Sequence, residues 1–335
     1  MVNLVAVQAE LYLEHYASHE AFRKKFLTLT EEAVSGLPDV ATLVAFPEAI
    51  GFPLLLTLDN TAALSHKKVG STALDLARRN WQQLLGAAWY YRTPSLKAFY
   101  ALRSLEAFKV YHDVFSEAAR TFGVTIVAGS SFLPHVEKEA TRGLHIADTG
   151  VRNVAFTFAP TGTLLGRTPK LYLNPGLESR VGLSCGLLGD LHAMQTPVGK
   201  LGVAICLDGF YGSVLDHLDG LGAQIVVQPS ANHAPWERAW PGDSKLSEGE
   251  AWLTHGLRAQ LQNRLHVQVG VNPMLVGDVW DLQPRGRSSI VVNGRYFPNR
   301  VLEGFAGVVA LAETDDSEEI VKATLALKKP VAEVM

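Results

Sequence analysis

Short apolar runs rich in β-branched residues alternate with longer helical stretches along almost the whole chain, and this alternation constrains the fold more than any other feature. The runs fall at 3–8 (NLVAVQ), 42–46 (TLVAF), 124–130 (VTIVAGS), 153–158 (NVAFTF), 201–206, 224–228 (QIVVQ), 267–271 (VQVGV) and 289–292. Runs this short and continuously apolar read as strands buried in a sheet. Between them, helical patterns are expected at about 19–34, 72–85, 95–122, 214–221 and 248–265. The order gives a layered α/β or α+β domain with helices covering sheets. No linker rich in Pro, Gly or Ser interrupts it, so one domain is the simpler reading.

Composition agrees and narrows the partners. Of 335 residues, 47% are hydrophobic, enough for a sizeable core, and the net charge of −3 provides no basic footprint for nucleic acid. The opening residues MVNLVAVQAELYLEHY lack a basic segment and reach a glutamate at position 10, which argues against a secretory signal. No apolar run approaches the ~18 residues of a membrane span. Two cysteines cannot form a disulfide framework, so the cytoplasm is the expected compartment.

Three short stretches carry the chemistry. In KLGVAICLDGFYG, residues 200–212, an apolar strand ends at Cys206 and a glycine-bearing turn leads into a helix. A sulfur held out of a sheet at such a turn meets backbone N–H groups where an oxyanion could form, although a lone cysteine is as easily a buried structural residue. In VAFPEAIGFP, residues 44–53, Glu48 follows the end of a strand, the edge of an α/β sheet where ligands gather. In GRTPKLYLNPGLE, residues 166–178, Lys170 stands among apolar residues and must reach water or a carboxylate.

Taken in order, F-P-E, R-x-P-K-L-x-L and G-V-A-I-C-L-D resemble the Glu-Lys-Cys signature of the nitrilase superfamily of carbon-nitrogen hydrolases. VAVQ, GVTIVAGS, GAQIVVQPSAN, LRAQLQNRLHVQVGVN and GRSSIVVNGRYF are similar to further segments of that family, so the resemblance spans about residues 3–327. It implies a four-layer αββα sandwich with internal pseudo-symmetry, assembled into homodimers or larger homo-oligomers. It implies Cys206 as nucleophile, Glu48 as general base and Lys170, with the backbone N–H of Leu207, as stabiliser of a tetrahedral intermediate. Glu178 matches a second glutamate and is expected to position or relay protons; pairing with Arg180 is the plainer alternative. Asp208 is expected to brace the loop. Asn232, His233 and Trp236, in SANHAPWE, are expected beside the substrate.

The expected substrate is a small molecule carrying a non-peptide C–N bond, foremost a linear amide, opened through a thioester. Leu207 and Asp208 follow the cysteine where nitrilases tend to have tryptophan and glutamate, which favours the amidase and carbamoylase branches. A nitrilase, an N-carbamoyl hydrolase, an acyltransferase and a non-catalytic binding protein are the alternatives. No cofactor or metal is expected: His15 and His19 stand four apart without a third ligand nearby, and Cys185 lies in a Gly-rich loop lacking G-x-G-x-x-G. The aromatic segment at about 80–112 is expected to be a helical insertion. It could pack on the domain or a partner, cover the active-site mouth and select a bulky or apolar substrate, or touch a membrane surface. Residues 328–335 are expected to form a tail.

Overall fold

A computed structural model describes residues 1–58, 60–139, 143–175, 178–179 and 181–328. Its framework is two mixed β-sheets packed face to face. The first runs β12-β1-β2-β3-β4-β5, with β17 also pairing on β1. Its strands are β1 (Val2–Tyr12), β2 (Thr42–Ala45), β3 (Thr125–Glu139), β4 (Gly143–Phe158), β5 (Leu164–Pro169), β12 (Leu275–Asp278) and β17 (Glu319–Leu325). The second runs β16-β13-β11-β8-β7-β6. It is built from β6 (Met194–Thr196), β7 (Gly199–Val203), β8 (Ile225–Val227), β11 (Val269–Asn272), β13 (Ser289–Val292) and β16 (Val308–Leu311). Two short ribbons, β9–β10 (Ala239–Trp240, Asp243–Ser247) and β14–β15 (Val301–Leu302, Phe305–Ala306), lie outside the sheets.

Burial on both faces explains why the strands read as unbroken apolar runs. Along β1, Leu4 and Ala6 join Leu201, Val203, Ile225 and Val271 in the core between the sheets. The alternate residues Val5 and Val7 face outward into a second core with Phe22, Phe26, Tyr111 and Phe115. These aromatics come from α1 (His19–Val34) and α5 (Ser95–Phe122), which cover the first sheet. Phe26 meets Phe115 at 5.0 Å and Phe46 at 5.5 Å between ring centres. Leu215 and Leu218 of α6 (Gly212–Gly220) and Leu253 of α7 (Glu248–His255) cover the second sheet, together with Leu257 of α8 (Leu257–Gln260). The layers are therefore αββα, as the resemblance implied.

Several boundaries depart from the sequence reading. The helix expected over 72–85 is two, α3 (Val69–Arg79) and α4 (Trp81–Tyr91), broken at Asn80. The one expected over 248–265 breaks at Gly256, whose Cβ would lie 2.5 Å from the Trp252 carbonyl oxygen. The short helix α2 (Leu54–Thr57) precedes them. Strands β3 and β4 form a hairpin far longer than the apolar runs that marked them. His15 and His19 do not share a helix: His15 lies in a 3₁₀ turn, Leu13–Tyr16, while His19 opens α1. Of the tail, Lys328 exchanges hydrogen bonds with Gln268, and residues 329–335 lie outside the described residues.

Candidate active site

The strand ends of both sheets converge on one place. Beyond β2 the Phe46 N–H still pairs with the Val127 carbonyl at 2.9 Å, and Pro47 then carries the chain off the sheet. Ala49 takes a left-handed φ of 61° and its N–H donates to Ser130 Oγ at 2.8 Å. Gly129 lies against this turn: a Cβ there would sit 1.9 Å from the Pro47 carbonyl oxygen, and its own φ is +71°. Only glycine allows that approach. The clamped loop holds Glu48 at 4% exposure.

Cys206 leaves the second sheet in the same way. Its N–H reaches the Pro229 carbonyl at 2.9 Å, extending the pairing beyond β7, and its φ is +50°. A left-handed conformation at a non-glycine residue costs on the order of 1–3 kcal/mol and persists where the surroundings impose it. Here Gln228 Nε2 holds the Cys206 carbonyl at 2.6 Å, and a 3₁₀ turn, Cys206–Phe210, begins at the cysteine. The fully buried Asp208 accepts from Ile205 N–H at 3.2 Å, Leu171 N–H at 3.1 Å and Tyr172 N–H at 2.8 Å. It thereby ties the cysteine turn to the chain just after Lys170. Burial pushes the Asp208 carboxyl up to about 7 against the pull of those N–H groups.

Lys170 follows β5 and binds two carboxylates at once, donating to Glu48 Oε1 and Glu178 Oε2, each at 2.7 Å. Asn153 Nδ2 repeats the bridge, reaching Glu48 Oε1 and Glu178 Oε1 at 2.8 Å each. The Ala231 N–H closes Glu48 Oε2 at 3.0 Å, and the Asn174 N–H donates to Glu178 Oε2 at 2.8 Å. The Cys206 thiol hydrogen-bonds to Glu48. Burial raises the Cys206 pKa well above the usual thiol value, and the Glu48 charge adds to it. Burial likewise raises Glu48, opposed by the Lys170 charge. For Lys170, burial disfavours the cation, but Cys206, Glu48 and Glu178 outweigh it and hold the ammonium protonated. The site thus rests as a neutral thiol beside a carboxylate base and a fixed cation, a set able to move one proton and stabilise one developing negative charge.

A cavity of about 470 Å³ opens over these groups and is lined by Glu48, Lys170, Glu178 and Cys206. Leu207, Asn232 and His233 line it as well. Trp236 does not. It is buried with its indole seated on Gly249, where a Cβ would come within 2.2 Å of Nε1, and Trp240 and Trp252 line the cavity instead. Arg180, the alternative partner for Glu178, lies outside the described residues. Cys185 is exposed and apart from the cavity lining. Asn153 went unnoticed in the sequence. Its signal was a polar side chain opening an otherwise apolar strand, and its Oδ1 is buried without a partner. Among the described residues no group of three His, Cys, Asp or Glu side chains is arranged to hold a metal.

Two facing mixed sheets with a thiol, a carboxylate and an ammonium buried where their strand ends meet define a layered α/β hydrolase built for covalent catalysis. The chain belongs to the carbon-nitrogen hydrolase family, whose model matches residues 4–291. It shares its fold with a carbon-nitrogen hydrolase from Helicobacter pylori G27 at a TM-score of 0.59 and 19% identity, covering 96% of this chain and 87% of that one. Nit3 of Saccharomyces cerevisiae, a member of branch 10 of the nitrilase superfamily, aligns at 0.57 and 18% identity, covering 96% and 89%. The NitN amidase from Nesterenkonia sp. AN1 aligns at 0.57 and 14% identity, covering 97% and 93%. No curated protein sequence matches the chain. Among the described residues no helix is long and apolar enough to cross a membrane.

Proposed function

We propose that this carbon-nitrogen hydrolase opens the C–N bond of linear amides through a thioester on Cys206. The observation that carries the reading is the single Lys170 ammonium shared at 2.7 Å by Glu48 and Glu178 beside the Cys206 thiol. As sulfur attacks the carbonyl carbon, Glu48 takes the thiol proton. Lys170 and the Leu207 N–H, in the first turn of a 3₁₀ helix where backbone donors lack intrahelical partners, stabilise the oxyanion. The intermediate collapses as the leaving nitrogen takes the proton from Glu48, and ammonia or an amine departs. Glu48 next deprotonates water, which attacks the thioester and releases a carboxylic acid while sulfur regains its proton. Splitting one difficult displacement into two is what a sulfur nucleophile contributes. Glu178 holds Lys170 in place.

In the amidase from Nesterenkonia sp. AN1, the acetamide moiety of fluoroacetamide adds covalently at the active site cysteine. That precedent supports the same role for Cys206. Both cysteines are free, which suits a cytoplasmic enzyme. One domain over about 1–327, with the helices around 80–112 as an insertion, completes the proposal. A homodimer or larger assembly belongs to the same reading, supported by Trp81, Leu85, Trp89 and Tyr90 standing exposed on α4. The test is ammonia release from a panel of amides, nitriles and N-carbamoyl compounds. Turnover of amides above the others supports the reading; turnover of nitriles alone replaces it with a nitrilase.

A further inference from the structure

A second cavity, of about 550 Å³, lies directly beside the first. The two share Ala49, Phe132, Ala231 and His233 as lining. These are not remote residues: Ala49 adjoins Glu48, and the Ala231 N–H holds Glu48 Oε2 at 3.0 Å. The second chamber therefore begins where the reacting carbonyl must sit. Its roof comes from the segment between β2 and β3. Gly70, Ala73 and Ala77 of α3 contribute little volume on one helix face, and Leu84, Leu96 and Phe99 of α4 and α5 complete the roof. The gap is the space those small residues leave.

The chemistry of the lining selects the occupant. Only Tyr16, Tyr100, His233 and Asp281 bring polar side-chain atoms to it. Tyr16 donates to the Ile50 carbonyl at 2.8 Å and Tyr100 to the Val181 carbonyl at 3.2 Å, while Asp281 Oδ1 accepts the Val69 N–H at 2.9 Å. Three of the four are thus engaged with backbone. Burial and the Lys170 charge favour the neutral ring of His233, at the junction. A polar substituent would lose its water without recovering hydrogen bonds, whereas an apolar one gains from transfer.

We propose that the substrate is an amide of a medium- or long-chain acyl group, whose hydrocarbon chain occupies this chamber while its carbonyl meets Cys206. The proposal rests on the amide-hydrolase reading and names its substrate class. An acyl chain suits the mechanism better than a chain on nitrogen. The acyl group stays on sulfur through both half-reactions, so its burial serves acylation and hydrolysis alike, whereas the amine leaves after the first.

The test uses the full chain and ammonia release from n-alkanamides, from acetamide to dodecanamide, with amine release from N-decylacetamide as the opposing arm. kcat/KM should rise about fourfold per added methylene until the chamber is full. Ala73→Trp and Ala77→Trp, which fill the roof gap, should abolish the gain on decanamide while leaving acetamide turnover unchanged, and that turnover also reports that each variant has folded. A flat or falling chain-length series, variants without effect on decanamide, or N-decylacetamide preferred over decanamide would each overturn the assignment. A second measurement separates this proposal from the amide reading. Decanoate should bind calorimetrically to Cys206→Ala far more tightly than acetate does, and Ala77→Trp in that background should remove the difference. Binding that follows chain length without turnover of any amide would fault the reaction and keep the chamber; binding indifferent to length would overturn the chamber.

Discussion

Lys170 Nζ lies 2.7 Å from Glu48 Oε1, and the two side chains are only 2% and 5% exposed. An ion pair this deep exchanges a large desolvation cost for mutual attraction and further hydrogen bonds, so removing one partner strands the other. Lys170→Met leaves two buried carboxylates facing one another and should cost about 3–5 kcal/mol in denaturant unfolding. Glu48→Gln keeps the shape and should cost less stability. Each should lower kcat by about two orders of magnitude or more, and the double variant by little beyond the worse single one. Near-normal kcat in either variant would remove that residue from the mechanism.

The pH profile follows from the directions of the shifts. Glu48 must be ionised to accept the thiol proton, and burial raises its pKa above the ordinary glutamate value of ~4.3. Activity should therefore be present at neutral pH and fall away on acidification at a pH above that value. Because burial also raises Cys206, the rate should show no ascending step near ~8.5, where an ordinary thiol ionises. Iodoacetamide should modify Cys206 slowly at that pH in the resting enzyme. An acid limb below pH ~4 or a thiolate-like rise would contradict this electrostatic picture.

Asn153 is predicted to act as a positioning residue through both glutamates. Asn153→Ala removes one donor shared by Glu48 and Glu178, and a hydrogen bond to a charged group is worth about 1.5–3 kcal/mol. The loss should appear in kcat, by about ten- to a hundredfold, with KM little changed. The acid limb should also move upward, since a donor to the ionised form of Glu48 is gone. An unchanged limb with a purely structural loss of stability would contradict the role.

Gly129 sets the geometry of the Glu48 loop from outside the cavity lining. Gly129→Ala forces a Cβ to within 1.9 Å of the Pro47 carbonyl oxygen at a φ of +71°. The loop must move, so the variant should lose more than ~1 kcal/mol of stability and lose kcat as well. Thermal melts and steady-state rates check both.

What could be read from the sequence divides along physical lines. The strands were visible because both faces are buried: Leu4 and Ala6 serve one core and Val5 and Val7 the other, leaving no polar alternation. Glu48, Lys170 and Cys206 were visible because each interrupts or ends such a run. The outer half of the β3–β4 hairpin was not, because residues such as His145 and Asp148 face outward beyond the sandwich and resemble a loop. Nor was the fate of Trp236, which depends on Gly249, a residue distant from the cysteine in sequence that only packing brings beneath the indole. The aromatic insertion divides likewise: Phe108 packs on Phe156 at 5.4 Å between ring centres, while Trp89 is 86% exposed. Spacing marked a helix there but could not assign its faces.

The most direct test of the central claim is intact-protein mass spectrometry of the enzyme quenched during amide turnover, followed by peptide mapping. The account predicts a mass increase equal to the acyl group replacing one hydrogen, located on the peptide that contains Cys206. The adduct should be lost in Cys206→Ala, which should fold normally and be inactive, and retained in Cys185→Ala, which should turn over normally. An adduct on any other residue, or comparable turnover by Cys206→Ala, would contradict it.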